Sequence, residues 1–172
     1  MAEQRVTLET PAFTGGYVFS DHEIAGVVAA NNFMALTNPT GSGKLILIAG
    51  VFISSTTVGA VAVTSPLRGF IATGVSGGTL EPANAIAKIR SSMPNPVAEV
   101  RTDNPTATLG AAWFNSPSLQ ATGASTSSFI HQVPATIAAG TLTLLPGEST
   151  VLRTEAGDVD TRWNISIAWS EL

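Results

Sequence analysis

Large apolar and small polar residues alternate most clearly in the stretch "RWNISIAWSEL" at residues 162–172. Every second position carries a large apolar side chain, namely Trp163, Ile165, Ile167 and Trp169. Successive side chains of a strand point to opposite faces, so this pattern buries one face, and a one-residue slip would expose both indoles. It predicts a strand over 162–170 that is central to the core.

An unbroken apolar run of nine residues, Leu45 to Ile53, is rich in β-branched residues and predicts a second buried strand within 44–54. Clusters of Gly, Pro and Ser separate the other strand-like segments. The remaining predicted strands are 33–37, 56–64, 69–75, 86–91, 97–102, 107–114, 127–133, 141–145 and 149–155. Many short strands without helical patterns between them predict an all-β sandwich or barrel.

The N-terminal region has a weaker pattern. Residues 1–19 show little periodicity and contain the break Gly15-Gly16, which predicts an arm that extends along a partner. Ser20 and Glu23 have the spacing of a capping box before an apolar segment, which predicts one short helix over about 22–30. We therefore expect an arm at 1–19 and a single β-sandwich domain at 20–172.

The Gly-rich stretch "TNPTGSGKLILIAG" at residues 37–50 superficially matches a nucleotide-binding P-loop. That motif needs a Gly where Asn38 stands and a Ser or Thr where Leu45 stands, because a hydroxyl there binds Mg²⁺. A phosphate loop also leads into a helix, whereas Lys44 is followed by the strand-like apolar run. The stretch is therefore predicted to be a turn between two strands, with no bound cofactor.

Charged residues make up only 12% of the chain, against about 25% in typical soluble domains. The net charge is −4, and the eight Lys and Arg residues are scattered, which argues against a nucleic-acid partner. Two interpretations of the low charge stay open: a surface covered in an assembly, or an ordinary neutral domain rich in Ser and Thr. The nine-residue apolar run is about half of what spans a bilayer, and we expect no secretory signal and no membrane partner.

Candidate catalytic and metal-binding residues are few. The chain has no Cys, which leaves no thiolate chemistry and no disulfides. His22, next to Asp21 and Glu23, is interpreted as part of a solvated helix cap, and His131 as a strand residue. The acids Glu155, Asp158 and Asp160 lack the spacing of a calcium-binding EF-hand loop and are interpreted as a hairpin with solvated carboxylates. We therefore predict no catalytic, cofactor-binding or metal site, and a protein that is not an enzyme.

Two alternatives of other classes remain. A small aromatic platform of Tyr17, Trp113 and Phe114, beside the polar loop at 115–128, would suit a host-glycan-binding module, although core and rim positions are the simpler interpretation of these aromatics. A hydrolase on a sandwich scaffold would need clustered acids in a cleft, for example Glu99, Asp103 and Glu155.

Three blocks resemble small structural proteins of tailed bacteriophages. They are "NNFMALTNPTGSGKLILI" (31–48), "NPVAEVRT" (95–102) and "LTLLPGESTVLRTEAGDVDTRWNISIAWSEL" (142–172). The last block contains the Pro146-Gly147 turn, Glu148, and a final strand that closes on Trp169 and Glu171. The helix-like segment at 22–30 and the loop at 115–128 have no counterpart in the resemblance.

The resemblance implies a jelly-roll-like β-sandwich located in the virion, on the capsid surface. Its implied role is that of a capsid decoration or cement protein, with the major capsid protein and further copies of itself, as a homotrimer, as partners. A tail, neck or fibre-associated component of the virion is the alternative. The resemblance transfers no active-site residues.

Overall fold

The computed structural model describes residues 16–25, 30–57, 67–115, 130–134, 136–137, 140–155 and 162–172. Fourteen strands lie within these residues: β1 (Gly16–Ala25), β2 (Asn31–Thr37), β3 (Ile46–Thr57), β4 (Leu67–Ser76), β5 (Thr79–Leu80), β6 (Ala87–Lys88), β7 (Glu99–Thr102), β8 (Thr106–Asn115), β9 (Ile130–Pro134), β10 (Thr136–Ile137), β11 (Gly140–Thr141), β12 (Thr143–Leu144), β13 (Ser149–Thr154) and β14 (Arg162–Glu171). The helical content of the described residues is a 3₁₀ turn at Ala83–Ala85. No helix among them is long and apolar enough to cross a membrane.

Two antiparallel sheets form the body of the protein, so the all-β sandwich prediction is confirmed. The first sheet has the order β6-β1-β14-β3, and β12 and β9 both pair with the far side of β3. The second sheet has the order β5-β7-β2-β13-β4-β8. β10 and β11 form a separate two-stranded ladder.

The connectivity is that of a jelly roll. Considering only strands of five residues or more, the first sheet reads β1-β14-β3-β9 and the second reads β2-β13-β4-β8. The chain crosses from one sheet to the other at each step except between β4 and β8, which pair as neighbours within the second sheet. Two interlocked Greek keys of this kind define the jelly roll, which confirms the layout that the resemblance implied.

The core fills the space between the two sheets. β14 lies between β1 and β3, and its four large apolar residues at alternate positions are at most 2% exposed, as the alternation predicted. Phe33, Leu36 and Leu152 pack against them from the second sheet. An apolar gap between the sheets, bordered by Phe33 and Phe114, is too small for a water molecule. The sandwich is therefore solid at this point and offers no ligand cavity there.

The helix predicted over 22–30 is wrong where the structure describes it, because residues 22–25 belong to β1. The pairing of β1 with β14 shifts register between Asp21 and Ile24, and Glu23 has a positive φ of 54°. A β-bulge therefore accommodates the polar triplet that the sequence suggested as a helix cap. Residues 16–19, assigned to the arm from sequence, also lie in β1, where Tyr17 and Phe19 are buried.

The remaining strand predictions differ mainly in their limits. The predicted strand at 86–91 is wrong for the most part, since only Ala87–Lys88 form a strand and the chain continues irregularly to Ala98. β3 extends to Thr57 and takes up the start of the strand predicted at 56–64. Residues 1–15, 58–66, most of the 115–128 loop, and the pair Asp158 and Asp160 lie outside the described residues.

Candidate interaction surface

The Gly-rich stretch after β2 is a turn organised by one buried amide, which confirms the prediction made from sequence. Asn38 is fully buried, and its side-chain nitrogen donates to the carbonyl oxygens of Lys44 (2.8 Å) and Leu144 (2.9 Å). Its side-chain oxygen accepts from the Ser42 hydroxyl at 2.6 Å. Gly43, at φ 65°, allows the chain to reverse before it enters β3. The turn holds itself closed, and a strand follows it in place of the helix that a phosphate loop needs.

The buried carboxylate of Glu171 joins the end of β14 to the segment before β7. Glu171 is 4% exposed and accepts hydrogen bonds from the backbone N–H of Val97, at 2.9 and 3.0 Å to its two oxygens, and from that of Ala98 at 2.9 Å. The indole N–H of Trp169 donates to the same carboxylate at 3.3 Å. These bonds fix the end of the sandwich where β14 finishes.

Tyr17 extends this arrangement from β1. Its ring stacks on Trp169 with 5.7 Å between ring centroids, and its hydroxyl donates to the Pro94 carbonyl oxygen at 3.2 Å. Burial, and after it the Glu171 carboxylate, raises the pKa of the Tyr17 phenol above its usual 10.0. Both effects disfavour the phenolate, so the hydroxyl stays a donor at neutral pH.

The aromatic platform suggested from sequence is absent. Tyr17 and Phe114 are buried in the core, which confirms the simpler interpretation for these two residues. Trp113 packs against the same core, and its indole N–H donates to the buried Thr150 hydroxyl at 2.9 Å. A Cβ added to Gly69 would lie 2.8 Å from the Trp113 ring, which shows how closely the strands enclose it. Two of the three aromatics are therefore buried in the core, and the third, Trp113, is partly buried at its edge.

The acids proposed for a hydrolase do not converge. Glu99 pairs with Thr37 in the second sheet, whereas Glu155 follows Thr154, which pairs with Asn31. Six residues of strand separate these two levels, or about 20 Å at the usual rise of a strand. Asp103 lies in a turn and accepts from the Thr79 hydroxyl at 2.6 Å. Glu155 instead lies 3.5 Å from Arg68 and 3.6 Å from Arg153.

The two histidines lie on different strands of the first sheet. His22 is exposed in the bulge of β1, and His131 lies in β9 opposite Ile53. Within the described part of the chain, no group of three His, Cys, Asp or Glu residues is arranged to hold a metal ion.

The outer face of the first sheet is unusually apolar. Of the six large apolar residues described as exposed, four lie on this face or where its strands end: Leu45 (40% exposed), Phe52 (42%), Leu145 (51%) and Ile89 (64%). Leu45 and Leu172 extend the pairing of β3 and β14 by one residue, through N–H···O bonds of 3.1 and 3.0 Å. Antiparallel sheets usually turn polar side chains to water on one face, so this surface departs from the common pattern.

Small residues occupy most of the rest of this surface. We name the whole surface the apolar face and define it by the following residues: Val18, Ser20, Leu45, Leu47, Ala49, Phe52, Ser54, Ala87, Ile89, Leu145, Asn164, Ser166, Ala168 and Leu172. Their outward direction follows from the burial of the residues between them, such as Ile48, Ile53 and Ile167. No Lys, Arg, Asp or Glu belongs to this set, and Glu23 and Arg162 lie at its end.

Several polar groups within the apolar face already have partners in the chain. The hydroxyls of Ser20 and Ser166 lie 2.7 Å apart across β1 and β14. The Asn164 side-chain oxygen accepts from the backbone N–H of Glu23 at 3.0 Å. A polar group with an internal partner loses little when a second surface excludes water from it. This face can therefore be buried at low cost.

The outer face of the second sheet is different because it carries charges. Arg68 and Arg153 lie directly opposite each other on β4 and β13, and both reach Glu155. Arg68 also lies over the Phe70 ring, 4.7 Å from its centroid, and Arg101 lies 3.9 Å from Glu99. The described residues that define the apolar face carry no charge, and Glu23 and Arg162 lie only at its end, so the two sides of the sandwich are chemically unequal.

The apolar face was missed from the sequence, although one signal pointed to it. The run from Leu45 to Ile53 has no polar alternation, whereas "RWNISIAWSEL" alternates strictly. In an antiparallel sandwich, an unbroken run places apolar residues on both the core side and the outer side of a strand.

Comparisons with protein families, with curated sequences and with solved structures gave no match.

Proposed function

We propose that the protein is a structural component of a bacteriophage virion, specifically a decoration or cement protein that binds the outer surface of the major capsid protein. The observation that carries the proposal is the apolar face: a broad, uncharged surface on a chain with only 12% charged residues. Large exposed apolar patches mark surfaces that contact other macromolecules, and charged residues are depleted at the core of such contacts.

The jelly roll and the sequence resemblance support the same role. Jelly rolls occur in viral capsid proteins and also in lectins, so the fold alone does not choose between structural and sugar-binding functions. The position of Trp113 counts against the glycan-binding alternative, because the residue chosen to stack on sugar packs over Gly69 against the core and its indole N–H already donates to Thr150.

Stabilisation by such a protein would come from many weak contacts repeated over the shell. Each contact gains about 25 cal/mol for every Å² of apolar surface removed from water. A copy that touches two neighbouring capsid subunits makes its second contact at a high effective concentration, so the shell resists expansion more strongly than one contact would suggest.

The decisive measurement is the number of copies of this chain in each purified virion, by quantitative mass spectrometry against the major capsid protein. Hundreds of copies would support decoration of the shell. A dozen or fewer would instead support the alternative of a tail, neck or fibre component, and absence from the particle would refute a virion role.

The arm prediction is tested in the same particles. β1 begins at Gly16, so a deletion of residues 2–15 spares the buried strand, whereas a deletion to residue 19 would remove core residues. If residues 2–15 reach a neighbour, the deletion lowers occupancy on the shell. Unchanged occupancy would reject the arm.

A further inference from the structure

Two arginines lie directly opposite each other on the outer face of the second sheet. Arg68 of β4 and Arg153 of β13 are cross-strand partners, and their side chains are 36% and 29% exposed, so solutes can reach both. Like charges that face each other across two strands destabilise a sheet. The pair therefore needs negative charge close by.

Glu155 supplies one negative charge for these two positive ones, which leaves the cluster at +1. Its Oε1 atom lies 3.5 Å from Nη1 of Arg68 and 3.6 Å from Nε of Arg153. Hydrogen bonds between a guanidinium and a carboxylate are about 2.7–2.9 Å long, so both contacts are loose. The Nε of Arg153 is buried and has no hydrogen-bond partner among the described residues. Glu155 therefore leaves the attraction of Arg153 for an anion largely unused.

Arg68 is held in place by contacts that do not neutralise it. Its Nε donates to the Asn115 side-chain oxygen at 2.8 Å, and its guanidinium lies over the Phe70 ring, 4.7 Å from the centroid. Neither group carries a charge. A side chain that is already ordered loses less conformational entropy when it binds, so Arg68 is prepared to receive an anion.

The charge of the cluster favours a carboxylate as the ligand. One carboxylate brings the cluster to neutrality, whereas a phosphate group, at about −1.5 to −2 near pH 7, would leave excess negative charge beside Glu155. A carboxylate also presents two oxygens in one plane, which match the planar fork of a guanidinium.

The position of the cluster favours a carboxylate that belongs to a protein. Sites for small molecules are concave and bury about 70–90% of the ligand surface. Arg68 and Arg153 instead project from the face of a sheet, where a free acid would keep much of its surface in water. A protein that carries the carboxylate adds contacts around it, for example to the exposed Asn115.

We propose that Arg68 and Arg153 together bind an aspartate or glutamate side chain of a second protein. This contact lies on the opposite side of the sandwich from the apolar face. It is therefore separate from the contact that the proposed function assigns to the capsid protein, and it does not depend on that function.

The test follows the side-chain nitrogen resonances of the six arginines by NMR, in the full chain at pH 7 and constant ionic strength. The probes are sodium acetate, sodium phosphate, a capped Gly-Gly-Glu-Gly-Gly peptide and its Gln counterpart. We expect acetate and the Glu peptide to shift the Arg68 and Arg153 resonances saturably, the peptide at least as tightly as acetate. The Gln peptide should produce no saturable shift.

Substitutions at Arg153 show whether the two arginines act together. Arg153→Gln should remove the saturable shift of Arg68. Arg153→Lys keeps the charge without the fork and should raise the dissociation constant about 10-fold, as for the loss of one charge-assisted hydrogen bond. Arg101→Gln is the matched control and should leave binding unchanged, because Arg101 donates to the Gly77 carbonyl oxygen at 3.1 Å and has Glu99 at 3.9 Å. Circular dichroism establishes that each variant is folded.

Three results would overturn the proposal, and the first two need only the wild type. They are equal, unsaturated shifts at all six arginines, and tighter binding of phosphate than of acetate. Binding of acetate but not of the Glu peptide would refute a protein as the source of the carboxylate.

A combined Asp158→Asn and Asp160→Asn variant tests for an acid of this chain at the same place. Equal acetate binding by this variant and the wild type supports a site that is open to a second protein. Binding that appears only in the variant would show that the chain fills the site itself, and would refute the proposal.

Discussion

Replacement of Glu171 by Gln should destabilise the fold strongly, although it changes only one side-chain oxygen into an amide nitrogen. The carboxylate accepts from two backbone N–H groups, those of Val97 and Ala98, and from the indole of Trp169. One carboxylate oxygen accepts from all three donors, whereas the other lies 3.0 Å from the Val97 nitrogen, which also donates to the first, so in Gln an NH₂ group would face the Val97 N–H at that second position. Two donors would then face each other in a buried site, and the loss of charge would weaken the bonds that remain, since hydrogen bonds to a charged group contribute about 1.5–3 kcal/mol and neutral ones about 0.5–1.5 kcal/mol.

The expected loss is therefore about 2–4 kcal/mol in the free energy of unfolding, which corresponds to about 5–15 °C in Tm for a domain of this size. Urea denaturation followed by Trp fluorescence measures it. Amide hydrogen exchange at Val97 and Ala98 gives a local readout, and exchange there should quicken more than in the centre of β14.

Glu148→Gln is the matched control. Glu148 also accepts from a backbone N–H, that of Leu145 at 2.7 Å, but it does so within a solvent-exposed turn. One amide oxygen can replace that single bond, so the loss should stay below about 1 kcal/mol. The reasoning about Glu171 fails if the two variants unfold within 2 °C of each other, a margin of about 1 kcal/mol.

Two further predictions concern buried polar groups. Asn38→Ala removes the bonds to the Lys44 and Leu144 carbonyl oxygens and should cost about 2–4 kcal/mol; Asn38→Asp should cost more, because a carboxylate would face those two oxygens. Equal stability of these variants and the wild type in urea would contradict this account of the turn. The pKa of Tyr17 is raised in the folded state, so its contribution to stability is complete below pH 10 and is lost as the pH rises through the folded value. The free energies of unfolding of the wild type and Tyr17→Phe, measured between pH 8 and 11.5, test this. The free energy should fall more steeply with pH in the wild type, and equal slopes would show that Tyr17 does not contribute.

Strand β14 shows how much of the fold the sequence specifies. Its alternating Trp and Ile residues can be buried in only one register, and the structure places them at the centre of the first sheet. The turn at Asn38 could also be predicted from the sequence, because Asn, Pro and Gly strongly favour turn conformations and a strand-like run follows. In both cases the local pattern and the tertiary environment favour the same conformation.

The N-terminal segment shows where local signals fail. The capping-box spacing of Ser20 and Glu23 is worth about 1 kcal/mol to a helix. Burial of Tyr17 and Phe19, together with a ladder of backbone bonds to β14, outweighs it. The partner strand lies more than a hundred residues away in sequence, so no window around Ser20 contains the information.

The interaction surface was hidden for a similar reason. Leu45, Ile89 and Leu145 come from three separate segments and share one face only because β3, β6 and β12 belong to one sheet. The composition was an indirect indication, because a chain with so few charged residues must leave part of its surface uncharged. Which part is uncharged depends on the order of strands, which no local pattern determines.

The position of β14 has a consequence for biosynthesis. β1 and β3 leave the ribosome early, yet neither gains its shared neighbour until roughly a hundred more residues have been translated. Throughout that interval β1 and β3 each lack the strand that pairs between them, and β3 contains most of the apolar run from Leu45 to Ile53. Premature stop codons between Thr57 and Arg162 should thus yield insoluble polypeptide, because such chains contain β3 but lack β14.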